Sequence, residues 1–320
     1  MILLFSEKKD MNVSLIVRWI KYYGYECLRI NEDAELQLKK ISISNNQNEN
    51  YIQLSTKGQN ILINKKTVVF ARRHILHIEN INSEVTNPVF QQFINNESYD
   101  IKDFISNFIT TESKYCLGSF VPRLNKLSQL KCAASIGLNI PETAIINYFD
   151  QSLMKRQYIT KPISDVFAKQ YDSDFYNSGG TLDIDASVLN WEFGFPSLIQ
   201  RKIIKEVEIR VFFFENNFFS LARKPKIGKS CKKIDWRDYN MNYESMRFFP
   251  IDIESSIIKK LKSLSKELNI NTGSYDLLFS DGKYYFLEVN PHGQFGFVSS
   301  IGSYFVEQKI ARFLISKYCL

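Results

Sequence analysis

SYDLLFSDGKYYFLEVNPHG, residues 274–293, reads as two β-prone runs around a turn. Tyr, Leu and Phe fill the run up to Ser280, and a second apolar run follows Gly282. Ser280-Asp281-Gly282 between them carries the signal of a three-residue hairpin loop with glycine in the left-handed position. Side chains alternate between the faces of a strand, so the turn length decides which residues share a face. A three-residue loop pairs Phe279 with Lys283 and puts Asp276, Glu288 and Asn290 on one side; a two-residue loop would put Asp276 on the other. Carboxylates side by side on an apolar hairpin are costly to bury unless a cation or a set of donors meets them. Two carboxylates and an amide carbonyl are hard oxygen ligands, too few to enclose an ion, which suits magnesium completing its shell with water and substrate phosphates. Two strands with solvent-facing acids is the alternative that this stretch leaves open.

The bulk numbers bound what surrounds the hairpin. At 320 residues, 44% hydrophobic and 23% charged, the composition is that of a globular chain long enough for two or three packed layers or domains. No apolar run approaches a membrane span, and MILLFSEKKD has no basic start before its short apolar segment, so the expectation is a cytoplasmic protein with no membrane partner. Cys27, Cys116, Cys132, Cys231 and Cys319 are odd in number and form no CxxC, which argues against a disulfide framework or a zinc site and makes them packing residues. The net charge of +7 suits a nucleic acid, nucleotide phosphates or an acidic peptide without choosing between them.

Along the chain, Ile2 to Phe5 reads as a strand. It is followed by a helix with Val13, Ile16, Val17 and Ile20 on one stripe, ended by Gly24, and by a strand from Tyr25 to Ile30. This opening predicts a small α/β domain. Short β-prone pieces follow to Ala71, where Arg72 and Arg73 stand at a strand end, either as a solvated terminus or as an anion contact across a domain interface. A helix carrying Ile101, Phe104, Ile105 and Phe108 closes this part, with a boundary near Thr110 to Ser119. NKLSQLKCAASIGLNIPETAII predicts a helix with Leu127, Leu130 and Ala134 on one face, then a strand at Ala144 to Ile146. YITKPI predicts a strand ending in Lys161-Pro162, and the polar text from Ser164 to Asp185 reads as a mobile, functional loop. A strand into Gln200 and a polar crossing lead to a hairpin turning at Asn216-Asn217, with Ile209, Val211 and Phe213 facing one way and Glu208 and Arg210 the other. After the basic segment Lys224 to Arg237 come a helix striped by Ile257, Leu261, Leu264 and Leu268, the hairpin, and a last helix with Val306, Ile310, Phe313 and Leu314.

The order of Lys126 at a helix start, Lys161 at a strand end, a flexible loop, the crossing after Gln200, Glu208-Ile209-Arg210, Arg223 and then Asp276, Glu288 and Asn290 resembles the ATP-grasp ligases over the whole chain. That resemblance implies an α/β (α+β) ATP-grasp fold at 113–320, with subdomains of about 113–195 and 196–320, preceded by a pre-ATP-grasp α/β domain at 1–112. It implies ATP held by Lys126 and Lys161, with Gln200 and the backbone of Arg201 and Ile203 at the adenine and Glu208 at the ribose. It further implies magnesium, two ions, on Asp276, Glu288 and Asn290, with Arg210 facing the phosphates and Arg223 neutralising an acyl phosphate or oxyanion.

MILLFSEKKDMN, the ARR at 71–73, ITKP, LIQRKIIKEVEIRVFFFENNFFSLA, IDWRDYN and FLEVNPHGQFGFVS are similar to the grasp-with-spasm peptide maturases, relatives of the enzymes that make microviridin- and plesiocin-like graspetides. This likeness implies an Asp or Glu of a ribosomal precursor peptide, leader plus acidic core, phosphorylated and joined to a Ser or Thr hydroxyl as an ω-ester or to a Lys amine as an ω-amide. Arg72, Arg73 and Arg237 are the candidate peptide contacts, and a homodimer is compatible with the pattern. Two departures stand out: Phe70-Ala71 precedes Arg72-Arg73 where two aromatics are expected, and the flexible loop is not glycine-rich. An ATP-grasp ligase acting on free amino acids or a protein tail would use the same nucleotide residues. A nucleic-acid-binding module is argued against by the lack of any RNP, zinc or helix-turn-helix signature.

Overall fold

The computed structural model describes residues 1–73, 76–79, 86–120, 124–147, 157–164, 168–171, 174–177, 180–184, 195–225 and 246–320. The first elements in chain order are β1 (Ile2–Ser6), α1 (Met11–Tyr22), β2 (Cys27–Asn31), β3 (Gln37–Ser42), β4 (Tyr51–Thr56), β5 (Gln59–Ile63), β6 (Val68–Ala71), α2 (Pro88–Glu112) and β7 (Tyr115–Gly118). There follow α3 (Lys126–Ser135), β8 (Thr143–Ile146), β9 (Tyr158–Thr160), β10 (Ala168–Tyr171), β11 (Asp174–Asn177), β12 (Leu182–Asp183), β13 (Ser197–Arg201), β14 (Val207–Phe214) and β15 (Asn217–Pro225). The last are β16 (Met246–Pro250), α4 (Ser255–Glu267), β17 (Thr272–Ser280), β18 (Lys283–Asn290), α5 (Gly296–Ile301) and α6 (Val306–Cys319). They form two compact units, one joining Met1–Arg123, Ile270–Gly273 and Gln294–Leu320, the other Leu124–Asn269 and Ser274–Gly293.

In the first unit a sheet of order β2-β1-β6-β7 has its strands paired in parallel. Parallel strands are covered on both faces and so read as continuous apolar runs, as β1 does with every residue buried. Leu3, Phe5, Val69 and Ala71 share a core with Ile52, Leu54, Ile61 and Ile63 of the antiparallel sheet β3-β4-β5 and with Ile105, Phe108 and Ile109 of α2. α1 packs on α6, burying Val13, Ile16 and Ile20 from the one and Ile310 and Leu314 from the other, the stripes that the sequence predicts. Asp10 caps α1, its carboxylate accepting from the N–H of Asn12 at 3.0 Å and of Val13 at 3.2 Å, a contribution of about 1 kcal/mol.

The same carboxylate decides the fate of Arg72. The side chain is 4% exposed. Its Nε lies 2.9 Å from Asp10 Oδ2, and its guanidinium sits 4.7 Å from the centroid of the Phe295 ring. It is thus a buried counter-ion to a helix cap, not a solvated strand end. Its neighbour Arg73 has φ of +52° and approaches Glu7 Oε2 at 3.8 Å.

The second unit holds an antiparallel sheet of order β12-β9-β13-β8 and a five-stranded sheet of order β16-β15-β14-β17-β18. Where a mobile loop was expected between Ser164 and Asp185, the described residues carry the antiparallel pair β10 and β11 and the short strand β12. The β14–β15 turn falls at Glu215-Asn216, one residue earlier than the sequence reading, because Phe214 pairs with Asn217 and Glu215 takes φ of +50°. One face of the larger sheet is covered by α4. Phe213 stacks on Tyr275 with ring centroids 4.9 Å apart, and the Tyr275 hydroxyl donates to the Leu261 carbonyl at 3.0 Å. Burial of that phenol pushes its pKa well above the tyrosine range. The opposite face carries the charges.

Candidate active site

The hairpin of β17 and β18 corrects the expected turn while keeping its outcome. Ser280 pairs with Lys283, so the loop is the two-residue Asp281-Gly282, with φ of +49° and +69°. Both central residues in the left-handed region define a type I′ turn, whose twist matches the flanking strands and for which Asp-Gly is a preferred pair. With that register alone Asp276 would oppose Leu287. Between Leu277↔Phe286 and Asp276↔Glu288 the register shifts by one, leaving Leu287 as the extra residue of a β-bulge. The bulge restores the parity that the shorter turn removes. Asp276 therefore faces Glu288 directly, and Asn290, opposite Ser274, lies on the same face two residues along.

A row of charges continues across this face. Glu208 pairs with Arg223 between β14 and β15, and their side chains form an ion pair, with Lys205 joining Glu208 from the other side. Arg210, two residues after Glu208, reaches Asp276 twice, Nε to Oδ1 at 2.8 Å and Nη2 to Oδ2 at 3.3 Å. Glu288 is met by Lys126 Nζ at 3.3 Å. Lys126 is the first residue of α3, whose cap Asn125 accepts from the N–H of Leu127 and Ser128. Its ammonium also donates to the carbonyls of Pro162 and Ser164, each at 3.4 Å, which draws the segment after Lys161 to the same place. Burial pushes the Asp276 carboxyl above the usual aspartate range. Arg210 pulls it back, Glu288 pushes it further up, and Arg223 and Lys161 pull it down. Lys126, Lys161, Glu208, Arg210, Arg223, Asp276 and Glu288 thus form one electrostatic cluster.

Other expected residues stand at its edges. Gln200 is buried in β13, with Nε2 donating to Thr143 Oγ1 at 2.8 Å, so its side chain fastens β13 to β8. Arg201 follows it, its N–H donating to the Glu142 carbonyl at 2.8 Å, and Ile203 lies in the crossing that leads to β14. The Asn290 amide oxygen accepts from the His292 N–H at 2.9 Å, shaping the turn in which Gly293 is packed so tightly that a Cβ would lie 2.4 Å from Ser274 Cβ. Arg72 and Arg73 belong to the other unit, and Arg237 lies outside the described residues.

Gln129 was not foreseen. It is buried on α3 one turn after Lys126. Its Oε1 accepts from the Val289 N–H at 2.7 Å, between Glu288 and Asn290, and its Nε2 donates to the Leu124 carbonyl at 3.1 Å. The signal was a polar side chain three residues from Lys126, on the same side of the helix and next to the stripe of Leu127 and Leu130.

Among the described residues there is no group of three or more His, Cys, Asp and Glu side chains placed to hold a metal ion. The facing pair Asp276 and Glu288 with the Asn290 oxygen is a partial, hard donor set, and it fits a divalent cation that takes its remaining ligands from phosphates and water. Four cationic side chains around it, Lys126, Lys161, Arg210 and Arg223, fit the phosphates themselves.

No family model matches the sequence, and no curated protein matches it. Solved structures do. The macrocyclase MdnC of Microcystis aeruginosa MRC, bound with the precursor peptide MdnA, is 22% identical over 99% of each chain, with a TM-score of 0.73. A RiPP-associated ATP-grasp ligase of Chryseobacterium gregarium, in complex with ADP and a leader and core peptide, is 20% identical over 99% of this chain and 96% of its own, with a TM-score of 0.79. The ATP-grasp ligase PsnB, complexed with a minimal precursor, magnesium and ADP, is 14% identical over 100% of this chain and 98% of its own, with a TM-score of 0.68. The chain has the ATP-grasp fold, as the order of its residues led us to expect. The similarity covers 99% and 96% of two chains whose structures were determined with a precursor peptide or a leader and core peptide.

Proposed function

We propose that the protein is an ATP-dependent peptide maturase. It phosphorylates Asp or Glu side chains of a ribosomal precursor, leader plus acidic core, and joins them to Ser or Thr hydroxyls as ω-esters or to Lys amines as ω-amides. The observation that carries this reading is the row of alternating charges on one sheet face, set in a fold that matches peptide macrocyclases from end to end.

The charges of the site pair with one another: Arg210 with Asp276, Lys126 with Glu288, Arg223 with Glu208. Each pair joins a group that suits a cation or a sugar hydroxyl to one that suits a phosphate. The acids and bases therefore exchange partners when nucleotide enters, and none is left buried and unpaired. Lys126 and Lys161 then hold phosphate oxygens, the backbone of Arg201 and Ile203 meets the adenine, and Glu208 accepts from the ribose hydroxyls. Asp276, Glu288 and Asn290 would hold magnesium, two ions, which would supply charge neutralisation at the phosphates. Arg210 orients the phosphates. A peptide carboxylate oxygen takes the γ-phosphoryl group, ADP leaves, and the hydroxyl or amine attacks the activated carbonyl as phosphate departs, so each ring removes one water from the peptide. Arg223 stabilises the acyl phosphate and the oxyanion.

Co-expression with a candidate precursor bearing an acidic core, followed by mass spectrometry, tests the proposal. Losses of water that require ATP and localise to Asp or Glu cross-links are expected. ATP consumption with free amino acids and no change in peptide mass would overturn it.

A further inference from the structure

We propose that Lys205 is a positioning residue for phosphoryl transfer: by taking one oxygen of Glu208 it leaves Arg223, on the other oxygen, with charge to spare for the anion in transit. The inference rests on the roles given above to Glu208 and Arg223. Lys205 stands in the crossing between β13 and β14, three residues before Glu208. That crossing is tied down on both sides of it. The Ile204 carbonyl accepts from Ser280 Oγ at 2.7 Å, the Glu206 N–H donates to the Phe279 carbonyl at 2.9 Å, and the Glu206 carboxylate accepts from the Asp281 N–H at 2.7 Å. All three partners belong to the end of β17 and its turn, so the hairpin that carries Asp276 and Glu288 also fixes the backbone from which Lys205 extends. The acid next to Lys205 in sequence is engaged by that turn, and the ammonium meets Glu208 instead.

Glu208 therefore lies between two cations. Lys205 Nζ approaches its Oε1 and Arg223 Nη2 its Oε2, and the side chains of Lys205, Glu208 and Arg223 are 22%, 17% and 17% exposed, a degree of burial at which solvent and salt screen charges incompletely. Arg223 and Glu208 alone would form a neutral pair, in which the carboxylate repels much of what the guanidinium attracts. With Lys205 on the far oxygen the three side chains carry one net positive charge. Glu208 can then orient Arg223, its direct partner across β14 and β15, without cancelling it.

The wider cluster points the same way. Lys126, Lys161, Lys205, Arg210 and Arg223 stand among Glu208, Asp276 and Glu288, an excess of cations that suits a polyphosphate. Lys205 differs from the other four in reaching this row from the crossing, so its charge acts on Arg223 through Glu208.

The test uses the full chain and reads binding as well as turnover. ADP with magnesium and fluoroaluminate, which stands in for the phosphoryl group in transit, should bind the parent more tightly than ADP with magnesium. Lys205→Met removes the charge and keeps the length of the side chain. It should bind ADP with magnesium within a few-fold of the parent, yet bind the fluoroaluminate form about tenfold more weakly, the lower end of what a hydrogen bond to a charged group contributes. Lys205→Arg should restore the affinity, and Lys205→Gln supplies a second neutral variant. In an Arg223→Ala background Lys205→Met should cost little more, because its effect passes through Arg223. Turnover should split in the same way, with kcat reduced and KM for ATP nearly unchanged. No acceptor enters the binding measurement, so an error in the proposed peptide substrate would show in the mass spectrum and leave the fluoroaluminate increment intact. A parent without that increment, neutral Lys205 variants that keep it, a loss of ADP affinity as large as the loss of the increment, or losses that add in the double variant would overturn the proposal.

Discussion

Asp276→Asn deletes one negative charge at the middle of the row and preserves the side-chain shape. In the parent, Arg210 donates twice to this carboxylate, while burial and Glu288 oppose its charge. The raised pKa means that the opposition is the larger effect. Between the ordinary aspartate pKa of about 3.9 and the raised folded value, the native state therefore binds more protons than the unfolded chain. The contribution of Asp276 to stability is present in acid and falls as pH rises through that window. The ligand-free variant should accordingly be at least as stable as the parent near neutral pH, the difference vanishing in acid. Ligand binding should move the other way. An interaction with a charged partner contributes about 1.5 to 3 kcal/mol, so affinity for ADP with magnesium should weaken by about 10- to 150-fold, while ADP without magnesium binds much as before. Urea unfolding at several pH values and calorimetric titration of ADP with and without magnesium are the measurements. A folded Asp276→Asn protein with unchanged magnesium-dependent affinity would refute the metal assignment, and a loss of several kcal/mol of stability would refute the electrostatic account.

Three further predictions follow from the same face. Lys161→Ala should lower nucleotide affinity by about tenfold or more, since a desolvated phosphate contact is charge-assisted; unchanged titration curves would remove Lys161 from the site. Arg223→Ala should bind ADP and magnesium within a few-fold of the parent, Lys205 still holding Glu208, yet dehydrate peptide about a hundredfold more slowly; a normal cyclisation rate in a mass-spectrometric time course would count against its role. Gln129→Leu leaves the Val289 N–H without its acceptor, at a cost of about 1 to 3 kcal/mol, and by loosening the strand between Glu288 and Asn290 should raise the magnesium concentration needed for half-maximal turnover. Lost stability with an unchanged magnesium requirement would make Gln129 a packing residue alone.

What the sequence determined by itself is most of the elements and their faces, because both are local; the strands β10, β11 and β12, read as a loop, are the exception. Helical spacing placed Val13, Ile16 and Ile20 on the buried stripe of α1, and alternation put Ile209, Val211 and Phe213 opposite Glu208 and Arg210, wherever those strands came to lie. The order of lysines, acids and strands was enough to indicate the ATP-grasp fold. What only the tertiary structure decided is pairing. The hairpin closes on the two-residue turn Asp281-Gly282, not the three-residue loop that the sequence suggested; that turn alone would have separated Asp276 from Glu288, and only the bulge at Leu287 brings them together. No local rule forecasts a bulge, because it reflects how a whole strand must bend to meet its neighbours and the helix that contacts it through Gln129. Arg72 looked like a strand-end charge because its partners, Asp10 and Phe295, are remote in sequence. Lys126 and Glu288, which form an ion pair, are likewise remote in sequence. Whether a charge is solvated or buried, and against what, is fixed by chain segments that meet only when the sheet is assembled.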